Sequence, residues 1–135
     1  MDGVVLTPLK IITQPNGDVL HGLKSSENSF VDFGEAYFST IKQGSFKGWK
    51  KHTKMILNLI VPVGEIKFVI HDESLNSFYS VQLSQRNYQR LTISPGLLVA
   101  FKGLESENIL LNIASIEHDP SESVNINMGA ISYEW

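Results

Sequence analysis

Two histidines and a group of lysines are the residues of this sequence best suited to proton transfer. His52 follows Lys47 and Lys50 closely, and His118 comes just after a later apolar run. Histidine titrates near neutral pH, so each can act as a general acid or base. A lysine ammonium can stabilise the oxyanion that forms when a proton leaves a carbon next to a carbonyl. We predict His52 and His118 as the proton-transfer residues, with Lys54 or Lys50 beside the oxyanion.

Other polar and aromatic side chains are candidates for binding the ligand of such a site. Lysines suit a diphosphate, and aromatic rings suit stacking on a base or a sugar. The predicted binding residues are Lys47, Trp49, Lys50, Asn58, Asn112, Tyr37 and Arg90. The alternative is a solvated basic turn with two ordinary histidines, and the residue types alone leave both interpretations open.

The residue types argue against a metal or a cofactor. The chain has no cysteine. The lysine cluster beside His52 repels a divalent cation, because a protonated ammonium cannot be a metal ligand. Neither a Gly-rich phosphate loop nor a Gly-x-Ser-x-Gly nucleophile turn occurs. We therefore predict no metal site and no cofactor.

The composition is that of one globular domain spanning residues 1–135. Apolar residues make up 42% of the sequence and charged residues 19%, with a formal net charge of −3, which argues against disorder. Nucleic-acid binding needs a larger basic surface than this chain offers. No apolar run approaches the ~20 residues of a membrane helix, and the start lacks a signal-peptide pattern. We expect a cytoplasmic protein that binds neither nucleic acid nor membranes.

Short apolar runs separated by turn residues predict an all-β protein without helices. Strand-like runs recur at roughly 8–12 residues, which favours an antiparallel sandwich or barrel. The predicted strands are Val4–Ile12, Val19–Leu23, Phe30–Phe33, Glu35–Ile41, His52–Val61, Ile66–Ile70, Phe78–Leu83, Tyr88–Ile93, Leu97–Lys102 and Ile109–Ile116.

Two asparagines lie in the middle of otherwise apolar strands and suggest a cavity. Side chains alternate between the faces of a strand, so His52 shares a face with Asn58, and His118 shares a face with Asn112. A buried polar group needs a partner, and a cavity inside a barrel provides water or a ligand as that partner. The alternative is that His52 and Lys54 lie at the open end of the strand and only Asn58 is inside, with a backbone partner.

Several segments resemble the nucleotide-sugar cupins, a family that includes the dTDP-4-dehydrorhamnose 3,5-epimerases and the sugar 3,4-ketoisomerases. The family's Arg-Gly-Phe-His-Ala-His motif is similar to the segment Lys47-Gly-Trp-Lys-Lys-His-Thr-Lys54. Its Leu-Ser-x-x-Asn…Leu-x-Ile-Pro-x-Gly motif is similar to the stretch from Leu83-Ser-Gln-Arg-Asn87 through Leu91-Thr-Ile-Ser-Pro-Gly96. Its closing Ile-x-Trp is similar to Ile131–Trp135.

This resemblance implies a cupin-type antiparallel β-barrel, or jelly roll, that works without a metal. It implies an epimerase or ketoisomerase acting on a nucleotide-linked 4-keto-6-deoxyhexose in surface glycan biosynthesis. The chain departs from the family at two catalytic positions, because the catalytic base His falls on Lys50 and the catalytic Tyr falls on His118. A non-catalytic module that binds a carbohydrate or a nucleotide sugar is therefore the alternative function.

The resemblance also implies a homodimer whose partners exchange N-terminal strands. The segment Val4–Ile12 suits this arrangement, since Pro8 is compatible with an edge strand. An unpaired apolar edge invites association with another chain. We predict that Val4–Ile12 pairs with a sheet of a second chain.

Overall fold

A computed structural model describes all residues of the chain, 1–135, and it consists almost entirely of antiparallel β-strands. Two short 3₁₀ turns, Pro120–Glu122 and Met128–Ala130, are the only helical elements. The strands are β1 (Val4–Pro8), β2 (Ile11–Ile12), β3 (Val19–Leu20), β4 (Glu35–Thr40), β5 (Phe46–His52), β6 (Leu57–Val63), β7 (Glu65–Asp72), β8 (Ser77–Ser84), β9 (Gln89–Ile93), β10 (Leu98–Gly103), β11 (Ile109–Ala114) and β12 (Ser123–Asn125).

Two five-stranded sheets form the body of the protein. The first sheet has the strand order β1-β9-β6-β11-β4, and the second has the order β12-β5-β10-β7-β8. Strands β2 and β3 form a separate two-stranded ribbon. The all-β class predicted from the sequence is confirmed.

The main apolar core lies between the two sheets. Alternate residues of β6, including Leu59, meet alternate residues of β7 and β10, including Phe68 and Val99, in one buried cluster. This alternation follows from the strand geometry, which directs every second side chain to the same face. A second, smaller cluster lies on the outer face of the second sheet, where the C-terminal tail packs over Trp49 and Leu98.

The central segment corrects one sequence prediction. A continuous strand His52–Val61 was expected, but β5 ends at His52 and β6 begins at Leu57 in the other sheet. Between them, the backbone N–H groups of Thr53, Lys54 and Met55 donate to the carboxylate of Glu122 at 3.1, 3.0 and 3.2 Å. These donors have a side-chain acceptor in place of a neighbouring strand, so the chain can cross between the sheets here.

Several short predictions also differ from the structure. The segment Phe30–Phe33 forms no strand, because Val31 and Phe33 lie exposed in a loop that has no strand partner. Val4–Ile12 divides after Pro8 into β1 and β2. Within the single chain, β1 pairs with β9 at the edge of the first sheet. The expected pairing of Val4–Ile12 with a sheet of a second chain stays a prediction.

Candidate functional site

A cavity of about 340 Å³ lies between the two sheets. One wall comes from the first sheet and carries side chains of β4, β6 and β11. The opposite wall comes from the second sheet and carries side chains of β5, β10 and β12. The lining residues are Tyr37, Ser39, Lys47, Gly48, Lys50, His52, Leu57, Leu59, Val99, Phe101, Leu110, Asn112 and Asn125.

A β-bulge in β5 brings two lysines to the same wall. Val99 of β10 is opposite Lys50, but Phe101 is opposite Lys47, so β5 has one extra residue over this stretch. The extra residue changes the parity of the alternation, and Lys47 and Lys50 both line the cavity although they are three residues apart.

Gly48 makes the bulge possible. Its φ is +129°, and a Cβ atom at this position would lie 2.6 Å from the Cβ of Ala100. Any side chain would therefore clash with β10, and the backbone conformation itself favours glycine.

His52 is held by a buried carboxylate. Its Nδ1 contacts Oε1 of Glu122, a residue that is 3% exposed. An ionised carboxylate only accepts hydrogen bonds, so the proton of a neutral His52 ring resides on Nδ1. The Nε2 lone pair is then free to accept a proton, and His52 lines the cavity.

Glu122 is ionised at neutral pH. Burial by itself would raise the pKa of the Glu122 carboxyl, but hydrogen bonds from His52 and from the backbone of Lys54 and Met55 outweigh it and hold the pKa below its ordinary value. The carboxylate thus joins the end of β5, the crossing segment 53–55 and the C-terminal part of the chain in one network.

The cavity is positively charged. Lys47 and Lys50 line it, and no aspartate or glutamate does. Lys47 donates to the backbone carbonyl of Thr40 at 2.7 Å, and neither lysine forms an ion pair with a carboxylate. Such a site attracts an anionic ligand or stabilises a developing negative charge.

The wall from the first sheet carries a polar pair, Tyr37 and Asn112. The two residues are directly opposite each other on β4 and β11. Nδ2 of Asn112 donates to the hydroxyl of Tyr37 at 2.9 Å. Both face the cavity, as the alternation in β11 predicted for Asn112; their roles in ligand binding stay predictions.

Three predicted binding residues, Trp49, Arg90 and Asn58, lie outside the cavity. Trp49 is fully buried on the outer face of the second sheet, among Val69, Leu98 and the C-terminal tail, because the bulge directs it away from the cavity. Arg90 is also fully buried, on the outer face of the first sheet, where it binds Glu27.

Asn58 corrects the prediction that both asparagines face one interior. Its side chain is buried on the outer side of β6, accepting from Thr92 at 2.6 Å and donating to the carbonyl of Ser29 at 3.4 Å. The alternation was counted from His52, but the chain leaves the strand between His52 and Leu57, so the phase does not carry over.

The predicted catalytic residues His118 and Lys54 do not line the cavity either. Strand β11 ends at Ala114, four residues before His118, which is exposed. Lys54 is exposed in the segment that crosses between the sheets. His52 is thus the one histidine that faces the cavity.

Sequence reasoning missed Glu122, Ser39 and Asn125. Ser39 lies on the Tyr37 face of β4, so the alternation of that strand was a usable signal. Asn125 lies in β12, which pairs with β5, and no sequence pattern indicated that strand. Glu122 ends a polar turn that is indistinguishable in sequence from an exposed one.

The structure contains no group of three or more histidine, cysteine, aspartate or glutamate side chains placed to hold a metal ion. No helix is long and apolar enough to cross a membrane. The absence of a metal in the functional protein stays a prediction.

Comparison with known proteins gives the chain's relatives by structure. No protein-family model and no curated protein sequence matches the chain. The structure superimposes on that of a dTDP-sugar isomerase from Desulfovibrio desulfuricans G20 with a TM-score of 0.91. The two sequences are 31% identical over 96% of this chain and 87% of that chain.

Two more distant structures share the fold. A dTDP-4-dehydrorhamnose 3,5-epimerase from Sulfolobus tokodaii has a TM-score of 0.87, with 21% identity over 98% of this chain and 82% of that chain. A 3,4-ketoisomerase from Thermoanaerobacterium thermosaccharolyticum, solved in complex with TDP-4-keto-6-deoxyglucose, has a TM-score of 0.80, with 19% identity over 92% of this chain and 88% of that chain. The cupin-type barrel and the resemblance drawn from the sequence are confirmed.

Proposed function

The chain belongs to the dTDP-sugar isomerase family, and on that premise we propose that it acts on a dTDP-linked 4-keto-6-deoxyhexose as an epimerase or ketoisomerase. The first step is removal of a proton from the carbon next to the ketone. His52 is the base, and no metal takes part. The ketoisomerase that shares this fold was solved with a sugar of this class.

The contact between His52 and Glu122 carries the proposal. Glu122 accepts from Nδ1, and this leaves Nε2 as the proton acceptor in the cavity. The buried carboxylate also stabilises the imidazolium that forms when His52 takes the proton, since opposite charges interact strongly where water is excluded. One group thus sets the tautomer and the orientation of the base.

The lysines supply the complementary charge. Removal of the proton leaves an enolate with negative charge on the former ketone oxygen, and a cation in the cavity stabilises that charge more than it stabilises the neutral ketone. Lys50 stands two residues before His52 on the same wall. It takes the role of the oxyanion partner, and Lys47 binds the diphosphate.

The size of the cavity fits the sugar part of the substrate. Its 340 Å³ lies near the lower end of the ~300–1,000 Å³ range of small-molecule sites. The sugar ring occupies the cavity between the sheets, and the nucleotide extends toward its mouth. The apolar side chains, including Leu59 and Phe101, contact the deoxy methyl group.

The test is incubation of the protein with dTDP-4-keto-6-deoxyglucose in deuterated water, followed by NMR. Deuterium at C3 or C5 of the sugar is the expected result for epimerase chemistry, and migration of the carbonyl from C4 to C3 is the expected result for a ketoisomerase. Binding without exchange or migration would refute the catalytic proposal and favour the non-catalytic sugar-binding module.

We also propose a homodimer that works in the cytoplasm, in surface glycan biosynthesis. The exposed apolar residues Val31, Phe33 and Phe38, on and before the edge strand β4, support association with a second copy. Sedimentation at micromolar concentration should give a dimer. A monomer under these conditions would refute this part of the proposal while leaving the chemistry unaffected.

A further inference from the structure

We infer that Trp135, in the tail on the outer face of the second sheet, is a positioning residue for the two lysines on the inner face. It holds the β-bulge of β5 in the form that directs Lys47 and Lys50 into the cavity. The inference rests on the proposed function, in which these lysines meet the diphosphate and the developing oxyanion, and it adds a residue that does not line the cavity.

The bulge determines which side chains of β5 share a face. In a regular strand, residues three apart lie on opposite faces. Across the bulge they lie on the same face, so Lys47 and Lys50 both line the cavity, and Phe46 and Trp49 both lie on the outer face. The position of the inward pair is tied to that of the outward pair, because one short stretch of backbone carries all four side chains.

The ring of Trp135 contacts both outward side chains. Its centroid lies 5.0 Å from that of Phe46, in an edge-to-face arrangement, and 6.3 Å from that of Trp49. Aromatic pairs at these separations attract each other. One side chain of the tail thus bridges the two ends of the bulge from outside the barrel.

Trp49 depends on such contacts, because no hydrogen bond fixes its side chain. The residue is fully buried, and its Nε1 has no partner. Leu98 and Ala100 contact it from the sheet, and tail residues including Trp135 pack against it. The indole is therefore located by packing alone, and removal of a covering side chain leaves a gap that the surroundings fill only in part.

The tail is arranged to reach the bulge. Ile126, directly after β12, exchanges two backbone hydrogen bonds with Trp49, at 2.9 and 3.1 Å. Farther along, every second residue of Ile131–Trp135 is partly buried and the others are exposed, so one face of this extended segment packs on the sheet. The anchor and the alternation together bring the ring of Trp135 to the bulge.

The two lysines are the only cations that line the cavity. If β5 regains a regular alternation at the bulge, Lys47 and Lys50 cannot both face the ligand, and the inner wall loses one positive charge. Removal of Trp135 should therefore change the binding of an anionic ligand on the opposite side of the sheet.

The test is the affinity for dTDP-4-keto-6-deoxyglucose, measured by calorimetric titration. Trp135→Ala should lower this affinity by about tenfold, the effect of losing one hydrogen bond to a charged group. Trp135→Phe should restore it, because a phenylalanine ring can again contact Phe46 and Trp49. An unchanged affinity in Trp135→Ala would overturn the inference.

Phe46→Ala removes the same contact from its other side. Because Phe46 is 42% exposed, this variant should fold, and its affinity for the sugar should fall by a similar factor. An affinity equal to that of the unaltered protein would show that the contact between Phe46 and Trp135 does not position the lysines.

Phe78→Ala is the matched control on the same outer face. The ring of Phe78 stacks on His71 at 4.2 Å and contacts Tyr133 of the tail at 5.1 Å, and it does not touch the outward side chains of the bulge. The melting temperature should fall in Phe78→Ala and in Trp135→Ala, but the affinity only in Trp135→Ala. An equal loss of affinity in both would mean a general structural effect and overturn the inference.

A combined variant tests whether Trp135 acts through the lysines. In a protein that carries Lys47→Gln and Lys50→Gln, Trp135→Ala should not lower the affinity further, because the groups that it positions are already absent. A further loss of the same size as in the unaltered protein would contradict the inference.

NMR of the ligand-free protein tests the geometry independently of the proposed function. Val99 and Phe101 line the cavity opposite Lys50 and Lys47, so their side-chain signals should shift or broaden in Trp135→Ala and stay unchanged in Phe78→Ala. Unchanged signals in Trp135→Ala would overturn the inference. If the unaltered protein binds no dTDP-linked keto sugar, the proposed function is refuted, and these signals still decide the role of Trp135.

Discussion

His52 and Arg90 each bind a glutamate, but their remaining nitrogen atoms have different partners. On the inner face of the second sheet, Nδ1 of His52 contacts Glu122 and the other ring nitrogen is left for the cavity. On the outer face of the first sheet, Arg90 donates to the carbonyl of Gly22 and to Glu27, each at 2.6 Å. Its side chain is completely covered by the segment that contains these partners.

The difference teaches what marks a functional group in this fold. Arg90 has its Nη donors directed to protein acceptors, and its Nε is buried without a partner. It anchors the 22–29 segment over the first sheet. His52 has one nitrogen fixed by protein and one left for a ligand. A charged side chain near a cavity is therefore a candidate functional residue only when one of its hydrogen-bonding atoms is not used by the protein and faces that cavity.

The largest effect is expected for His52→Gln. The amide can still donate to Glu122, so the fold should keep its stability, but the base is lost. Deuterium uptake into the dTDP-4-keto sugar should fall by about 10²–10⁴-fold. The measurement is the initial rate of uptake by NMR, with the melting temperature as the control for folding. A rate within threefold of that of the unaltered protein would show that another residue is the base.

Removal of Arg90 should affect stability instead of chemistry. Arg90→Met leaves Glu27 without its partner, and breaking such a pair costs about 3 kcal/mol of the free energy of unfolding. Urea unfolding measures this loss. The rate of deuterium uptake per folded molecule should stay within twofold of that of the unaltered protein. A large loss of this rate at unchanged stability would mean that Arg90 contacts the substrate.

The two glutamates should make the protein sensitive to acid. The hydrogen bond from Arg90 lowers the pKa of the Glu27 carboxyl, and despite burial the hydrogen bonds to Glu122 lower the pKa of its carboxyl as well, each below the ordinary value of 4.5. Their contribution to stability is therefore complete above about pH 4.5 and is lost as the pH falls through the lowered values.

Glu122→Gln should remove part of this acid sensitivity, seen as a flatter plot of unfolding free energy against pH. Its amide also donates to Nδ1 of His52 and forces the proton onto Nε2, so the rate of deuterium uptake should fall about 10²-fold, the lower end of the range for losing a base. An unchanged pH dependence of stability together with an unchanged rate would contradict the role assigned to the contact.

The smallest effect is expected for Lys47→Gln, which removes the cation assigned to the diphosphate. A hydrogen bond to a charged group contributes ~1.5–3 kcal/mol, and Lys47 is exposed, so affinity for dTDP-4-keto sugar should fall about tenfold, as expected at the low end of that range. Lys51→Gln is the matched control, because Lys51 binds Glu73 outside the cavity at 2.8 Å. Calorimetric titration would contradict the assignment if both variants lost affinity equally.

Periodicity along single strands was enough to predict much of this protein. The alternation of apolar residues predicted β4, β8, β9, β10 and β11 within a few residues, and it directed Asn112 to the inside. The resemblance of the segment Lys47–Lys54 to a motif of the nucleotide-sugar cupins pointed to the family. These features depend on neighbours in sequence, because a strand directs every second side chain to the same face.

What the tertiary structure decided involves residues far apart in sequence. The bulge at Gly48 depends on the backbone of β10, and it sends Trp49 outward and Lys47 inward. Glu122 is buried because backbone N–H groups of the segment 53–55 donate to its carboxylate. His118 stays outside the cavity. No periodicity along the chain encodes such contacts. They form only when folding removes a carboxylate from water and its desolvation must be offset by donors from another part of the chain.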